Sequence, residues 1–535
     1  MHDIVLRGGT VYDGEGGSPY AADVAIDGDR ITAIMPAIGD RGRREIDVRG
    51  LALAPGFINM LSWAIASLIA DGRAQSDVRQ GVTLEVFGEG SSMGPLTDEM
   101  RRDQMERQAD IKYDIPWTTL RQALDHLVRL GVSVNIASFV GATTLRVHEV
   151  GYDDRPPSTG ELDRMRALAR SAAEEGALGL GSALIYTPGT FATTDELVVL
   201  AQAAGGTYIS HLRNEGDRLL EAVDELITIT RRAGVRGEIY HLKQAGRANW
   251  PKLGAVIERV ERARAEGLDI TADMYLYTAG ATGLNATMPP WVQEGGFRAW
   301  LGRLREPETR ARVAREMRAP GKDWENLYLA AGGAGGVLLV SFKNDALKPL
   351  TGKTLAEVAT ARGRSPEETA MDLVVEDESR VGACYFIAAE DNLRRQVALE
   401  WMSFGSDEAA PAPEGVFLKS NPHPRAYGTF ARVLGQYARD EGVVPLEELI
   451  RRLTSFPASN LGLDRRGRLA RGSFADLVAF DPAAIKDHAT YADPHRYSVG
   501  MVHVFVNGEQ VLRDGEHTGA RPGRVLAPAP ATARA

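Results

Sequence analysis

The chain of 535 residues reads as an α/β protein: a (β/α)8 TIM-type barrel with a small β-sandwich domain built from both chain ends and an inserted small domain. Three observations predict this. Between Leu53 and about Asp407, short apolar runs alternate with stretches of helical period. Both chain ends carry instead short β-prone runs separated by Gly-Gly and Asp-Gly turn signals. The interval from Tyr275 to Glu400 is too long for a single crossover helix and calls for an insertion.

Residues 1–56 contain Ile4-Val5-Leu6-Arg7, Thr10-Val11-Tyr12, Ala22 to Ile26 and Arg30 to Ile34, with turn signals at Gly8-Gly9, Asp13-Gly14 and Asp27-Gly28. This pattern is that of a small antiparallel layer. The runs Ala475 to Asp481 and Val502 to Leu512 repeat it, so residues 466–518 are expected to complete the same accessory domain. The barrel is expected over 57–465. Its candidate strands are Leu53 to Leu61, Thr83 to Phe87, Val134 to Val140, Leu178 to Ile185, Tyr208 to His211, Glu238 to Leu242, Asp269 to Tyr275 and Glu400 to Gly405. The insertion is placed at about 288–365, with helical Phe297 to Met317 and the apolar run Gly336 to Val340. Residues 519–535, rich in Ala and Pro, read as a disordered tail.

Composition narrows the function classes. Hydrophobic (44%) and charged (25%) contents are ordinary for a globular protein, and 62 basic against 72 acidic residues leave a net charge of −10. That balance provides no basic footprint for nucleic acid. The single cysteine, Cys384, can form neither an intramolecular disulfide nor a cysteine cluster, and its apolar neighbours make it a buried, inert thiol. The N-terminus lacks the regions of a signal peptide and no apolar run is long enough to span a membrane, so a cytoplasmic location is expected.

Two stretches carry the chemistry. Thr207 to Arg213 and Gly237 to Lys243 are β-branched and aromatic runs that each reach a histidine, His211 and His241, with an amphipathic helical segment between them. In parallel β/α units neighbouring strand ends share one rim, so the two imidazoles point into one pocket and can begin a zinc site. Glu89, between Gly88 and Gly90 after the second strand, is a candidate third ligand; a solvated loop charge is the alternative. Glu85, inside that strand, requires a buried partner and is a weaker candidate. Asp407, just past the last strand, can act as general acid/base, or can merely cap a helix. Lys243 and Arg425 can bind a substrate carboxylate, with an exposed surface cation as the alternative for each, and Tyr275 can add a hydroxyl or simply pack. Gly90-Ser91-Ser92-Met93-Gly94 spells the serine-nucleophile pattern, but no downstream Asp-then-His order accompanies it. No glycine-lysine phosphate loop is present.

Taken together, Ala54-Pro55-Gly56-Phe57-Ile58, Gln80-Gly81-Val82-Thr83, Tyr208 to Gly216, Ile239 to Lys243, Thr271 to Tyr275, Gly405-Ser406-Asp407 and His423 to Phe430 resemble the N-acyl-D-amino-acid deacylases (D-aminoacylases) of the amidohydrolase superfamily. The resemblance runs over nearly the whole chain. It implies a zinc-dependent amidase with metal histidines at His211 and His241, a catalytic aspartate at Asp407, and carboxylate binders at Lys243, Tyr275 and Arg425. Two departures stand out. The family's His-x-His is replaced, with Leu61 and Trp63 at the histidine positions, and the family's metal-binding cysteine loop is replaced by Gly88-Glu89-Gly90. One zinc ion held by His211, His241 and Glu89 is therefore expected, with Leu61 and Trp63 lining the pocket and an N-acyl, D-configured amino acid as substrate. A non-catalytic scaffold, or hydrolysis of a cyclic amide, carbamate or ester, remain the alternative readings.

Overall fold

The computed structural model describes residues 1–529. Two parallel sheets form its centre. One contains β1 (Phe57–Asn59), β2 (Val82–Phe87) and β3 (Asn135–Ser138). The other contains β4 (Gly179–Ala183), β5 (Thr207–His211), β6 (Arg236–Ile239), β7 (Ile270–Met274) and β8 (Met402–Phe404), with the short Val140–Gly141 beside β4. Backbone hydrogen bonds link the two sheets at both edges, from Met60 N–H to Phe404 O (3.2 Å) and from Leu178 N–H to Ser138 O (3.0 Å). β2 and β5 are buried along their whole length, as strands covered on both faces must be.

The helices between the strands follow from local signals. Leu219–Ala233 buries Leu219, Ala222, Val223, Leu226, Ile227 and Ile229 along one stripe and stops at Gly234, whose φ of 68° suits a residue without Cβ. Leu120–Leu130 and Thr159–Glu174 each begin with a capping box, Thr119 with Gln122 and Ser158 with Glu161.

The chain ends meet in one nine-stranded sheet. Ala52–Pro55 pairs antiparallel with Leu477–Phe480, and Ile4, Leu6, Val24 and Ile26 share a core with Leu477, Ala479 and Phe505. The inserted unit is larger than the interval 288–365. Its antiparallel sheet takes in Ala279–Gly283, Val337–Ser341 and Gly382–Phe386, the last in the middle. Ala279-Gly280-Ala281-Thr282-Gly283 carries no branched apolar run, so its strand character comes from pairing and not from pattern. The helical stretch expected over 297–317 divides into Phe297–Arg303 and Pro307–Met317, with proline at the start of the second. Cys384 is buried in the middle strand and burial pushes its thiol up to about 12, in keeping with an inert role.

The disorder expected from residue 519 onward does not hold over 519–529. Gly523 N–H donates to Val132 O (2.8 Å), Ile136 N–H to Arg524 O (2.9 Å) and Leu526 N–H to Ile136 O (2.8 Å). The segment supplies partners to backbone groups along and just before β3, a requirement that Ala/Pro composition does not reveal. The remainder of that tail, 530–535, lies outside the described residues. Among the described residues no helix is long and apolar enough to cross a membrane.

Candidate metal centre and its surroundings

His211 is the last residue of β5, His241 lies two residues past β6 and Glu89 two past β2. Glu89 reaches inward because both neighbours are glycines with positive φ; a Cβ on Gly88 would stand 2.5 Å from Phe139 O. One oxygen of Glu89, Oε1, lies 3.0 Å from His211 Nδ1 and 2.9 Å from His241 Nε2. The candidate ligand atoms of the three residues all fall within 4.8 Å of one another, and the three residues are 3–5% exposed. Two imidazoles and a carboxylate in that space form a donor set suited to one divalent ion of zinc type. Burial pushes the Glu89 carboxyl up, but His241 and His211 outweigh it and hold the group well below the usual carboxylate range.

Behind the histidines stands Glu215, which the sequence reading passed over. It is 2% exposed and accepts from Lys243 Nζ at 2.8 and 2.9 Å. Its oxygens lie 3.4 Å from His211 Nε2 and 3.3 Å from His241 Nδ1, the nitrogens turned away from Glu89. Both are close charge contacts and not aligned hydrogen bonds: among the described residues His211 Nε2 has no hydrogen-bond partner, and His241 Nδ1 lies 2.7 Å from Lys243 Nζ. Burial pushes Glu215 up, and His211, Lys243 and His241 together hold it down at about 2. The one signal for it in the sequence is its place four residues past His211, in Asn214-Glu215-Gly216. Glu325, from the inserted unit, accepts the Glu215 N–H at 2.5 Å, and burial followed by the Glu215 charge pushes it up to about 8.

Asp407 lies three residues past β8 with φ 51°, its N–H donating to Leu61 O (2.8 Å). Its Oδ1 accepts from Trp63 Nε1 at 3.1 Å and its Oδ2 is 2.8 Å from Arg425 Nη1. Burial raises the Asp407 carboxyl, partly offset by Arg425. Arg425 is 2% exposed and lies 4.3 Å from the Tyr275 ring centre; among the described residues its Nε has no hydrogen-bond acceptor, and its contact to Asp407 is close but poorly aligned. Lys243 lies 5.6 Å from the same ring. His423, also passed over, accepts the Arg425 N–H at Nδ1 (3.0 Å), which leaves Nε2 to donate to Ala279 O (3.0 Å) and ties the arginine to the inserted unit.

Other expectations change. Leu61 does not line the pocket: it is fully buried in a core with Ile58, Met60 and Tyr240. Trp63, 43% exposed, presents a hydrogen-bond donor as well as apolar surface. Glu85 accepts from Asn59 Nδ2 at 2.9 Å through one oxygen, its other oxygen having no hydrogen-bond partner among the described residues, and stands apart from the metal cluster. Ser92 Oγ donates to Gly94 O (2.6 Å) and accepts from Gly141 N–H (2.9 Å), which makes it a loop clamp and not a nucleophile.

With this geometry in place, comparisons with known proteins are specific. The profile of the amidohydrolase family matches residues 113–512. A D-aminoacylase of Alcaligenes xylosoxydans xylosoxydans is 33% identical over 98% of this chain and 97% of its own. A solved D-aminoacylase, whose study concerned a binuclear metal center with one-metal activation and second-metal attenuation, superposes with a TM-score of 0.82 at 30% identity, covering 98% of this chain and all (100%) of that one. The N-acyl-D-glutamate deacylase of Bordetella bronchiseptica, solved with zinc and a phosphonate mimic of the tetrahedral intermediate, gives 0.79 at 28% identity, covering 98% and 99%. These neighbours make the parallel α/β centre TIM-barrel-like. The chain therefore belongs to the amidohydrolase family, in its N-acyl-D-amino-acid deacylase (D-aminoacylase) branch.

Proposed function

We propose that this protein is a metal-dependent hydrolase that cleaves the amide of an N-acyl-D-amino acid to a carboxylate and the free amino acid. The observation that carries the reading is the convergence of Glu89, His211 and His241 within 4.8 Å, beside an Asp407–Arg425 pair. In this reading those three residues hold one zinc ion, which when bound polarises the scissile carbonyl and makes water a competent nucleophile near neutral pH. Glu215 orients both histidines. Asp407 takes the proton from the attacking water and delivers it to the nitrogen of the breaking C–N bond, so the leaving group departs as a neutral amine.

Lys243, Tyr275 and Arg425 receive the substrate's α-carboxylate. Support comes from the two cations lying over one tyrosine ring and from the unpartnered Arg425 Nε. A buried guanidinium with a free N–H is the group a carboxylate would complete. We further read the strands β1 to β8 as one closed (β/α)8 barrel over 57–465, with an accessory β-sandwich from 1–56 and 466–518. The hydrogen bonds at both sheet edges support closure.

The test is direct. Elemental analysis of protein equilibrated with zinc and desalted should find one ion per chain, and a panel of N-acetyl and N-formyl amino acids of both hands should show turnover of D substrates. Glu89→Gln should lower zinc affinity at least tenfold. A protein that retains no zinc and hydrolyses none of the panel would overturn the proposal.

A further inference from the structure

The rim of β1 offers a cation nothing to bind. Leu61 presents hydrocarbon and is fully buried. Asn59 directs its amide N–H groups into Glu85 (2.9 Å) and Ser406 (2.8 Å), and its Oδ1 accepts the Ser406 N–H (2.8 Å). Trp63 turns its only polar atom, an N–H, toward Asp407 Oδ1 at 3.1 Å. The ends of β1 and β8 are also close: Trp63 N–H donates to Glu408 O (2.9 Å), and a Cβ on Gly405 would stand 2.7 Å from Leu61 N. A second metal ion beside Asp407 needs lone pairs and room, and finds donors and a closed backbone contact. The residues present do not fit it.

We propose that the Trp63 indole N–H takes the place a second cation would occupy beside Asp407, making Trp63 a positioning residue and restricting the centre to a single ion. This rests on the role given to Asp407 above. The physical reason lies in how Asp407 is held. It is 8% exposed, its backbone is in the left-handed region and its two oxygens have different partners, Arg425 on Oδ2 and Trp63 on Oδ1. The misaligned Arg425 contact does not fix the carboxylate plane alone. The indole, whose own backbone N–H is bonded to the residue after Asp407, supplies a second, uncharged anchor.

Zinc counts and kinetics test this separately. After equilibration with excess zinc and desalting, the Trp63→His variant, which removes the indole and places an imidazole lone pair beside Asp407, should hold one more ion per chain than the wild type. Equal counts, or a second ion in the wild type, overturn the proposal. Trp63→Phe keeps an apolar ring and removes the donor: its zinc count should match the wild type, its kcat should fall about 10- to 100-fold and its KM should stay within twofold. An unchanged kcat overturns the positioning role. A wild type that holds one zinc yet turns over no N-acyl amino acid would defeat the proposed function, while the difference in zinc count would still decide the question of the second ion.

Discussion

Glu215→Gln is the substitution with the most to reveal, because in the proposed reading one buried carboxylate serves the metal centre, the substrate-binding lysine and the fold at once. It accepts two hydrogen bonds from Lys243 and faces the rear nitrogens of both histidines, with 3% of its side chain exposed. Loss of an outer carboxylate behind metal-ligating histidines costs about 10- to 100-fold in metal affinity, which is about 1.4 to 2.7 kcal/mol. The same change leaves the Lys243 ammonium buried without its counter-charge, a loss of about 3 kcal/mol or more.

The pH dependence provides an independent measure of that loss. Glu215 is held at about 2 against an ordinary 4.5, so its contribution is fully present above pH 4.5 and disappears as pH falls from 4.5 to about 2. A difference of that size corresponds to roughly 3 kcal/mol. Zinc titration against a competing chelator and denaturant unfolding at pH 7 and pH 3 give both quantities. The wild type should lose stability between those pH values more steeply than the variant. Zinc affinities within twofold of each other, with parallel stability profiles, would refute the role given to Glu215.

Other expectations are as specific. Asp407→Asn keeps the hydrogen bond from Trp63 but cannot take a proton, so it should retain zinc and lose about 10²- to 10⁴-fold in kcat. Glu325 is pushed up to about 8, so its native state is penalised increasingly as pH rises from 4.5 to 8; Glu325→Gln should be more stable than the wild type at pH 8 and close to it at pH 5, as read by denaturant melts. Replacing the substrate's α-carboxylate by a carboxamide should raise KM strongly, because it removes the charge that the free Nε of buried Arg425 is placed to receive; an unchanged KM would argue against that role.

Much of the site is legible in local pattern. His211 and His241 end or follow short β-prone runs separated by one amphipathic helix, and such units place successive strand ends on one rim. Glu89 is marked by its flanking glycines. Glu215 was not legible, since a charged residue in an Asn-Glu-Gly loop looks solvated until Lys243 and the inserted unit cover it. The Trp63–Asp407 bond joins residues 344 apart and the Glu215–Glu325 bond residues 110 apart, separations across which no periodicity carries information.

The sequence by itself determined the alternation of strands and helices and the histidine pair, because each is written in local spacing and side-chain type; that the first strand lacks two histidines is visible only against the family it resembles. Only the tertiary structure decided that Leu61 lies in the core, that the indole of Trp63 donates to Asp407, and that residues 519–529 are bonded alongside β3. Those outcomes depend on which buried polar groups lack partners once the sheets have come together, and the cost of leaving such groups unpaired is set by the assembled fold and not by any one segment.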